Sequence, residues 1–347
     1  NNSYKGEKNM LKKSFFALIL SVLLIGIVSG CTQSSSNDEE GKGSMGKSVK
    51  IGYFPNLTHS ATIIALEKGF FEEEFGKDVK IETKTVANGG LFMEAMATNA
   101  IDVGTVGPGP LLNFYVKNPE YHLISGAVNG GAVLVASEGS KVTDLKDLAG
   151  KKVAIPVIGS TQDVMLRKAL QDVDLKPTTN GGTVELYAAA PADTTALFVQ
   201  KSVDAAATQE PWGYVLENQA KGKLVLDWDQ FAWGKDSPNT VVAASQKFLD
   251  KKGLAASYLK AHEKAVKFIQ ENPEESQELV IKHLKELTGK ELSKEEVASA
   301  FSRLEVTTEV NEQVIQEMAD ISKEAGYIPS SDIKGMIDLS ILEEVSK

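Results

Sequence analysis

Cysteine is almost missing from this chain: Cys31 is the only one in 347 residues. No intrachain disulfide can form, and no thiol is left in the body of the chain for catalysis or metal binding. Histidine is nearly as scarce, with four residues. The zinc motif H-E-x-x-H and the nucleophile elbow G-x-S-x-G do not occur, and Gly107-Pro108-Gly109 lacks the dinucleotide spacing. Excess positive charge is lacking too: the net charge of −10 argues against a nucleic-acid partner and against basic contact with a membrane surface. An anionic ligand would have to be held by local dipoles, because no global positive field attracts it. The longest apolar run, Phe15 to Val28, is 14 residues. A bilayer span needs about 20.

What that run does fit is an export signal. Met10-Leu11-Lys12-Lys13 supplies a basic start, and the apolar stretch closes on Val28-Ser29-Gly30-Cys31. This ending resembles a bacterial lipobox, with small residues beside the scissile bond and a cysteine to take the diacylglyceryl group. A doubly acylated Cys31 would hold the protein stably on the outer face of the cell membrane, where a single chain would not. Residues 1–30 are therefore read as an upstream extension, Asn1 to Asn9, plus a cleaved signal. Residues 31–48, rich in Ser, Gly and acids, are read as a flexible tether.

About 300 residues remain, more than one hydrophobic core usually serves, so two domains are expected. Strand and helix signals alternate along them. Val49 to Tyr53, Val79 to Val86, Ile101 to Gly104, Tyr121 to Ala127 and Ala132 to Ala136 read as strands, with helices over Thr58 to Lys68 and Leu91 to Asn99. The rhythm restarts with strands at Lys152 to Pro156, Thr183 to Tyr187, Ala205 to Ala207, Leu224 to Leu226 and Thr240 to Ala244. Such βα units argue for α/β sheets with helices on both faces. From Gly253 onward the pattern is helical, with a cap and N1 proline at Asn272-Pro273 and a capping box at Ser293 to Glu296.

In open α/β sheets ligands bind just beyond the carboxyl ends of the strands. Three turns hold that position: Asn56-Leu57-Thr58-His59, Gly159-Ser160-Thr161-Gln162 and the turn from Ala190 to Thr194, which includes Asp193. Each puts small or hydroxyl-bearing residues at a helix start, where free N–H groups favour anions. Ordinary capping explains any one of them; their concurrence points to a ligand. A micromolar ligand needs roughly 8 kcal/mol, and each hydrogen bond to a charged group supplies about 1.5–3 kcal/mol. Several neutral donors would suffice. Glu210 and Trp212, after another strand, offer a polar group and an apolar wall. Trp228 and Trp233 suit a lobe surface or hinge. His122, His262 and His283 read as structural or solvated, Arg167 and Lys168 as a solvated helix face. No spaced ligand set supports a metal site.

Ile51-Gly52-Tyr53, Glu67 to Phe71, Ala100 to Gly104, Thr143 to Lys152, Gly159-Ser160-Thr161, Val203-Asp204-Ala205 and Glu210-Pro211-Trp212 occur in this order. Through them the chain, from about Val49 to Phe248, resembles the periplasmic-type binding proteins for aliphatic sulfonates, nitrate and taurine. The resemblance implies a two-lobe, type II binding-protein fold with two hinge crossovers and a helical C-terminal tail. Residues 49–136 with 238–347 would form one lobe, and 137–237 the other. Asn56 to His59 with Pro108 would wall the first lobe, Gly159 to Thr161 would cradle the anion, and Asn129 and Gly130 would lie near the crossover. It further implies a monomer without cofactor, not an enzyme, that passes a small solute to an ABC permease and its ATPase. No basic residue of the nitrate-binding type can be matched, which counts against nitrate. Vitamin precursors of thiamine-pyrimidine or flavin type remain open as ligands. Pyrimidine synthases on the same scaffold look to use a cysteine-rich segment that this chain lacks.

Overall fold

The computed structural model describes residues 47–347. The expected signal, Cys31 and nearly all of the expected tether lie outside the described residues. The strands are β1 (Lys47–Tyr53), β2 (Val79–Thr85), β3 (Val103–Val106), β4 (Tyr121–Gly130), β5 (Ala132–Ala136), β6 (Lys152–Ile155), β7 (Glu185–Ala188), β8 (Ala205–Gln209), β9 (Lys223–Leu226), β10 (Pro238–Ser245) and β11 (Leu304–Val306). The helices of the first two thirds are α1 (Ser60–Glu67), α2 (Phe70–Phe75), α3 (Gly89–Ala97), α4 (Pro108–Tyr115), α5 (Thr161–Gln171), α6 (Pro191–Val199) and α7 (Trp212–Gln219). The tail adds α8 (Gln246–Leu249), α9 (Lys252–Glu271), α10 (Pro273–Thr288), α11 (Lys294–Ser302), α12 (Glu312–Glu324) and α13 (Ser340–Val345).

Two sheets result, in the orders β11-β4-β10-β3-β1-β2 and β7-β6-β8-β5-β9. Within them β2-β1-β3 and β7-β6-β8 run parallel, and β10, β4, β5 and β9 pair antiparallel. The apolar runs of β3, β5 and β10 are buried on both faces, as sheets covered on two sides require. One face of the first sheet packs Ile51 and Val103 against Ile63, Phe71, Tyr258 and Leu259 from α1, α2 and α9. The other packs Leu123 and Val241 against Phe92, Leu112, Ile315 and Met318 from α3, α4 and α12. The second sheet is covered by Leu166 and Leu170 of α5 on one face, and by Phe198 of α6 and Leu216 of α7 on the other.

The chain passes from the first sheet to the second at Gly130-Gly131 and returns between β9 and β10. Both glycines have positive φ, +70° and +68°, and a Cβ on Gly130 would sit 2.1 Å from the ring of Trp228. No side-chain-bearing residue would fit this crossover without strain. The crossover falls before β5, so β5 pairs with β8 and β9 in the second sheet. This corrects the expected lobe boundary after Ala136.

The tail holds a further difference. Leu304–Val306 is a strand, β11, on the edge of β4, where the sequence suggests only helix. Three residues between helices are too few for a period to show. Pro273 does open α10, but the Asn272 side chain donates back to Phe268 O at 3.1 Å and caps nothing. Ser293 caps α11 as expected, accepting from Glu296 N at 3.1 Å.

Candidate functional site

The carboxyl ends of the parallel strands in both sheets face one cavity of about 140 Å³. Phe54, Thr58 and His59 reach it after β1, Ala87 to Gly89 after β2, and Gly107 with Pro110 after β3. From the other sheet come Pro156, Val157 and Ser160 to Gln162 after β6, Ala190 and Pro191 after β7, and Gln209 ending β8. Asn239 and Thr240 complete the wall from the start of β10.

The turns into α3, α4, α5 and α6 therefore meet at a single hollow. Asn88 caps α3 by accepting from Leu91 N at 3.0 Å, and Ser160 caps α5 by accepting from Asp163 N at 3.2 Å. A cap consumes one free donor of a first turn; α5 keeps the N–H groups of Thr161 and Gln162. The first three residues of α4 offer none, because Pro108 and Pro110 lack an N–H and Gly109 donates to Thr161 Oγ1 at 3.2 Å. Each helix start also carries the positive end of its dipole. None of the residues lining the cavity is a Lys, Arg, Asp or Glu. The site can thus attract a small anion with fixed neutral dipoles alone, the arrangement expected for anions at helix starts.

His59 lines this cavity as a neutral ring. Burial drags its pKa down to about 3. Its Nδ1 lies 2.8 Å from Thr105 Oγ1, which also meets Thr62 Oγ1 at 3.1 Å, and the ring stacks on Phe54 with centroids 4.3 Å apart. Two amides tie the wall to the crossover: Gln162 donates to Asn239 Oδ1 at 3.3 Å, and Asn239 donates to Gly130 O at 2.7 Å. Gln209 behaves differently. Its Oε1 is buried and has no hydrogen-bond partner among the described residues, a condition that costs about 1–3 kcal/mol unless a guest supplies the bond.

Of the residues singled out from sequence, Thr58, His59, Ser160, Thr161 and Gln162 meet at the cavity. Others stand behind it. The Asn56 side chain accepts from Thr58 N and Thr58 Oγ1, Leu57 is wholly buried, and Gly159 N–H donates to Asp163 Oδ2 at 2.8 Å. Pro108 opens α4 next to the lining Gly107. Asn129 and Gly130 pair with β11 at the crossover, and Thr194 Oγ1 donates to Pro191 O at 2.9 Å, one residue beyond Asp193.

Glu210 and Trp212 do not reach the cavity. The fully buried Glu210 carboxylate turns to Arg303 Nη1 at 2.9 Å. Trp212 lines a separate apolar cavity of about 260 Å³ with Pro55 and Leu292, and Lys290 Nζ sits 5.4 Å from its ring centre. Trp228 packs on the crossover, and Trp233 Nε1 donates to Glu317 of α12 at 2.6 Å. Arg167 corrects an expectation: it is buried and bonded to Asp163, Asn180 and Tyr327. A helical wheel cannot show that another segment covers that face.

Asn88-Gly89, Gln209 and Asn239-Thr240 are lining residues that the sequence reading lacks. The first repeats the cap-plus-small-residue pattern of the other turns and was discoverable. The others carry no local signal. Gly41 to Ser48 also satisfies the phosphate-loop spacing G-x-x-x-x-G-K-S. That motif must open a helix, whereas Lys47 and Ser48 begin strand β1.

Two α/β sheets joined by two crossovers, with a hollow at their facing strand ends, define the periplasmic-binding-protein fold. The chain belongs to the NMT1-like family, whose model matches residues 43–283. It is 27% identical over 240 residues to a protein of Brucella abortus (strain 2308) that is named only provisionally as a binding protein, covering 68% of this chain and 72% of that one. Among solved structures it is similar to the alkanesulfonate-binding protein SsuA from Xanthomonas axonopodis pv. citri bound to MOPS. There the TM-score is 0.70 at 20% identity, over 84% of this chain and 98% of the other. The periplasmic nitrate-binding protein NrtA from Synechocystis PCC 6803 also gives 0.70, at 17% identity over 86% and 88% of the two chains.

Proposed function

We propose that this chain is the extracytoplasmic solute-binding component of an ABC importer, taking a small anionic organic solute of the aliphatic sulfonate or taurine type between its two sheets. One observation carries the reading: four helix starts converge on a cavity whose lining has no charged side chain. Free N–H groups of Thr161 and Gln162, with hydroxyls and amides around them, would hold the anionic head. Phe54, Pro110, Pro156, Val157 and Pro191 would cover its carbon portion. A cavity of about 150 Å³ holds a benzene-sized guest, so the solute has on the order of six to eight non-hydrogen atoms. Sulfonate and nitrate binders are among the similar folds, and the sulfonate suits an apolar-walled pocket better.

In this reading the halves carrying the two sheets are lobes that close on the solute, and closure follows from tighter binding to the closed form. Lipidated Cys31 tethers the protein outside the cell membrane, and the loaded monomer delivers its cargo to the permease and its ATPase. Calorimetry of the chain lacking residues 1–31 against taurine, C2–C4 alkanesulfonates, nitrate and a thiamine-type pyrimidine tests the proposal. Taurine is expected to bind in the micromolar range with its ammonium donating to the unpartnered Gln209 Oε1, so that Gln209→Ala weakens it about tenfold. Binding of the pyrimidine alone would move the protein to the vitamin-precursor class; silence from every compound would end the capture reading.

A further inference from the structure

Arginine occurs at only two positions, Arg167 and Arg303, and each bridges the halves that carry the two sheets. Beside the crossover, Arg303 precedes β11 and reaches Glu210 at 2.9 Å and Glu217 at 2.6 Å. The other contact bears on the solute cradle itself. Asp163, in the first turn of α5, is fully buried, and both its oxygens are engaged. Oδ2 accepts the N–H of Gly159 at 2.8 Å and the hydroxyl of Tyr327 at 2.5 Å, while Oδ1 accepts Arg167 Nε at 2.9 Å. Arg167 also donates to the Tyr327 oxygen at 2.8 Å.

Tyr327 arrives from the other half. It follows α12, whose Ile315 and Met318 lie in the core of the first sheet. The end of α12 meets the second half again where Asn180 donates to Glu324 O at 3.0 Å. Asp163 is thus shared by a cradle residue, its own helix and a segment of the opposite half. It is also a negative charge adjoining Gln162, in the turn that would hold an anion. Left unengaged, the carboxylate would compete for the N–H groups of that turn and repel the guest.

We propose that Tyr327 is a positioning residue for the solute: its hydroxyl, brought from the opposite half, completes the bonding of Asp163 and locks the Gly159 to Gln162 turn with its free N–H groups facing the cavity. This rests on the binding-protein reading above. Bonds to a charged acceptor are the strong class, so the contact can hold the cradle in place without touching the guest.

Tyr327→Phe tests this, because it keeps the ring that lies 5.0 Å from the Arg167 guanidinium and removes only the hydroxyl. Tyr115→Phe is the control. Its hydroxyl donates to Lys334 O at 2.6 Å, tying down the same C-terminal segment away from α5. Amide hydrogen exchange of the ligand-free protein reads local opening directly. The bonded amides of Gly159, Ser160 and Asp163 should exchange at least tenfold faster in Tyr327→Phe and within twofold of the parent in Tyr115→Phe. With taurine as probe, Tyr327→Phe should release it about tenfold faster with the association rate nearly unchanged. Unchanged exchange in Tyr327→Phe, or equal acceleration in both variants, would overturn the assignment. If the parent protein ignores taurine, the binding reading suffers, and the exchange comparison alone decides the role of Tyr327.

Discussion

At the scale of single residues, burial decides which chemistry remains available. His59 and His262 are both wholly enclosed, and burial lowers them to about 3 and about 4, the latter despite the bond from its Nε2 to Gly126 O. An unfolded imidazole protonates near pH 6.5. Between that pH and the folded values the unfolded chain binds more protons, so stability present above pH 6.5 is lost as the pH falls. Replacing His262 with Gln, whose amide can still donate to Gly126 O, should make the protein less acid-sensitive. The drop in unfolding free energy between pH 7 and pH 4.5, followed by urea denaturation, is expected to shrink by about 2 kcal/mol. An unchanged drop would mean that His262 is not the titrating group. Residue identity alone exposed none of this: His262 sits on a charged helix, and only packing reveals that its side faces inward.

At the scale of elements, caps at the cavity have two uses. Asn88 holds the first turn of α3 and also lines the cavity. Asn88→Ala should cost about 1 kcal/mol of stability, the usual value of a lost cap. Asn88→Asp keeps the cap and favours the helix dipole, so thermal stability should hold or rise. Its charge, however, would enter an uncharged cavity, and sulfonate affinity measured by calorimetry should fall at least tenfold. Equal affinity in the two proteins would remove Asn88 from the site. Elements of this kind were readable in advance. β1 to β10 and the helices after β1, β2 and β6 follow from apolar runs, caps and glycines such as Gly69, which adopts the left-handed cap at φ +71°. β11 was not readable, because only its pairing with β4 makes it a strand.

At the scale of the whole molecule, the contacts between the halves matter most. Arg303 answers a carboxylate, Glu210, that is wholly inaccessible to solvent and whose pKa burial already raises. Arg303→Met should therefore cost about 3–5 kcal/mol at pH 7, the usual result of leaving a buried charge unpaired. Lowering the pH toward 5 should recover part of the loss. An acid with a raised folded pKa takes up protons in the folded state first, so stability rises as pH falls. Chemical denaturation at both pH values checks this, and a deficit that stays constant would show that Glu210 keeps a partner without Arg303.

Sequence by itself determined the covered α/β sheets, the helical tail and five residues of the cavity wall, because strand period, caps and turn residues act over a few positions. Only the tertiary structure decided that Gln209, Asn239 and Thr240 join that wall, that Trp212 faces elsewhere, and that Arg167 is buried under Tyr327. Those outcomes depend on segments up to 160 positions apart in the chain being pressed together. Local propensity carries no information about which distant surface a side chain will meet.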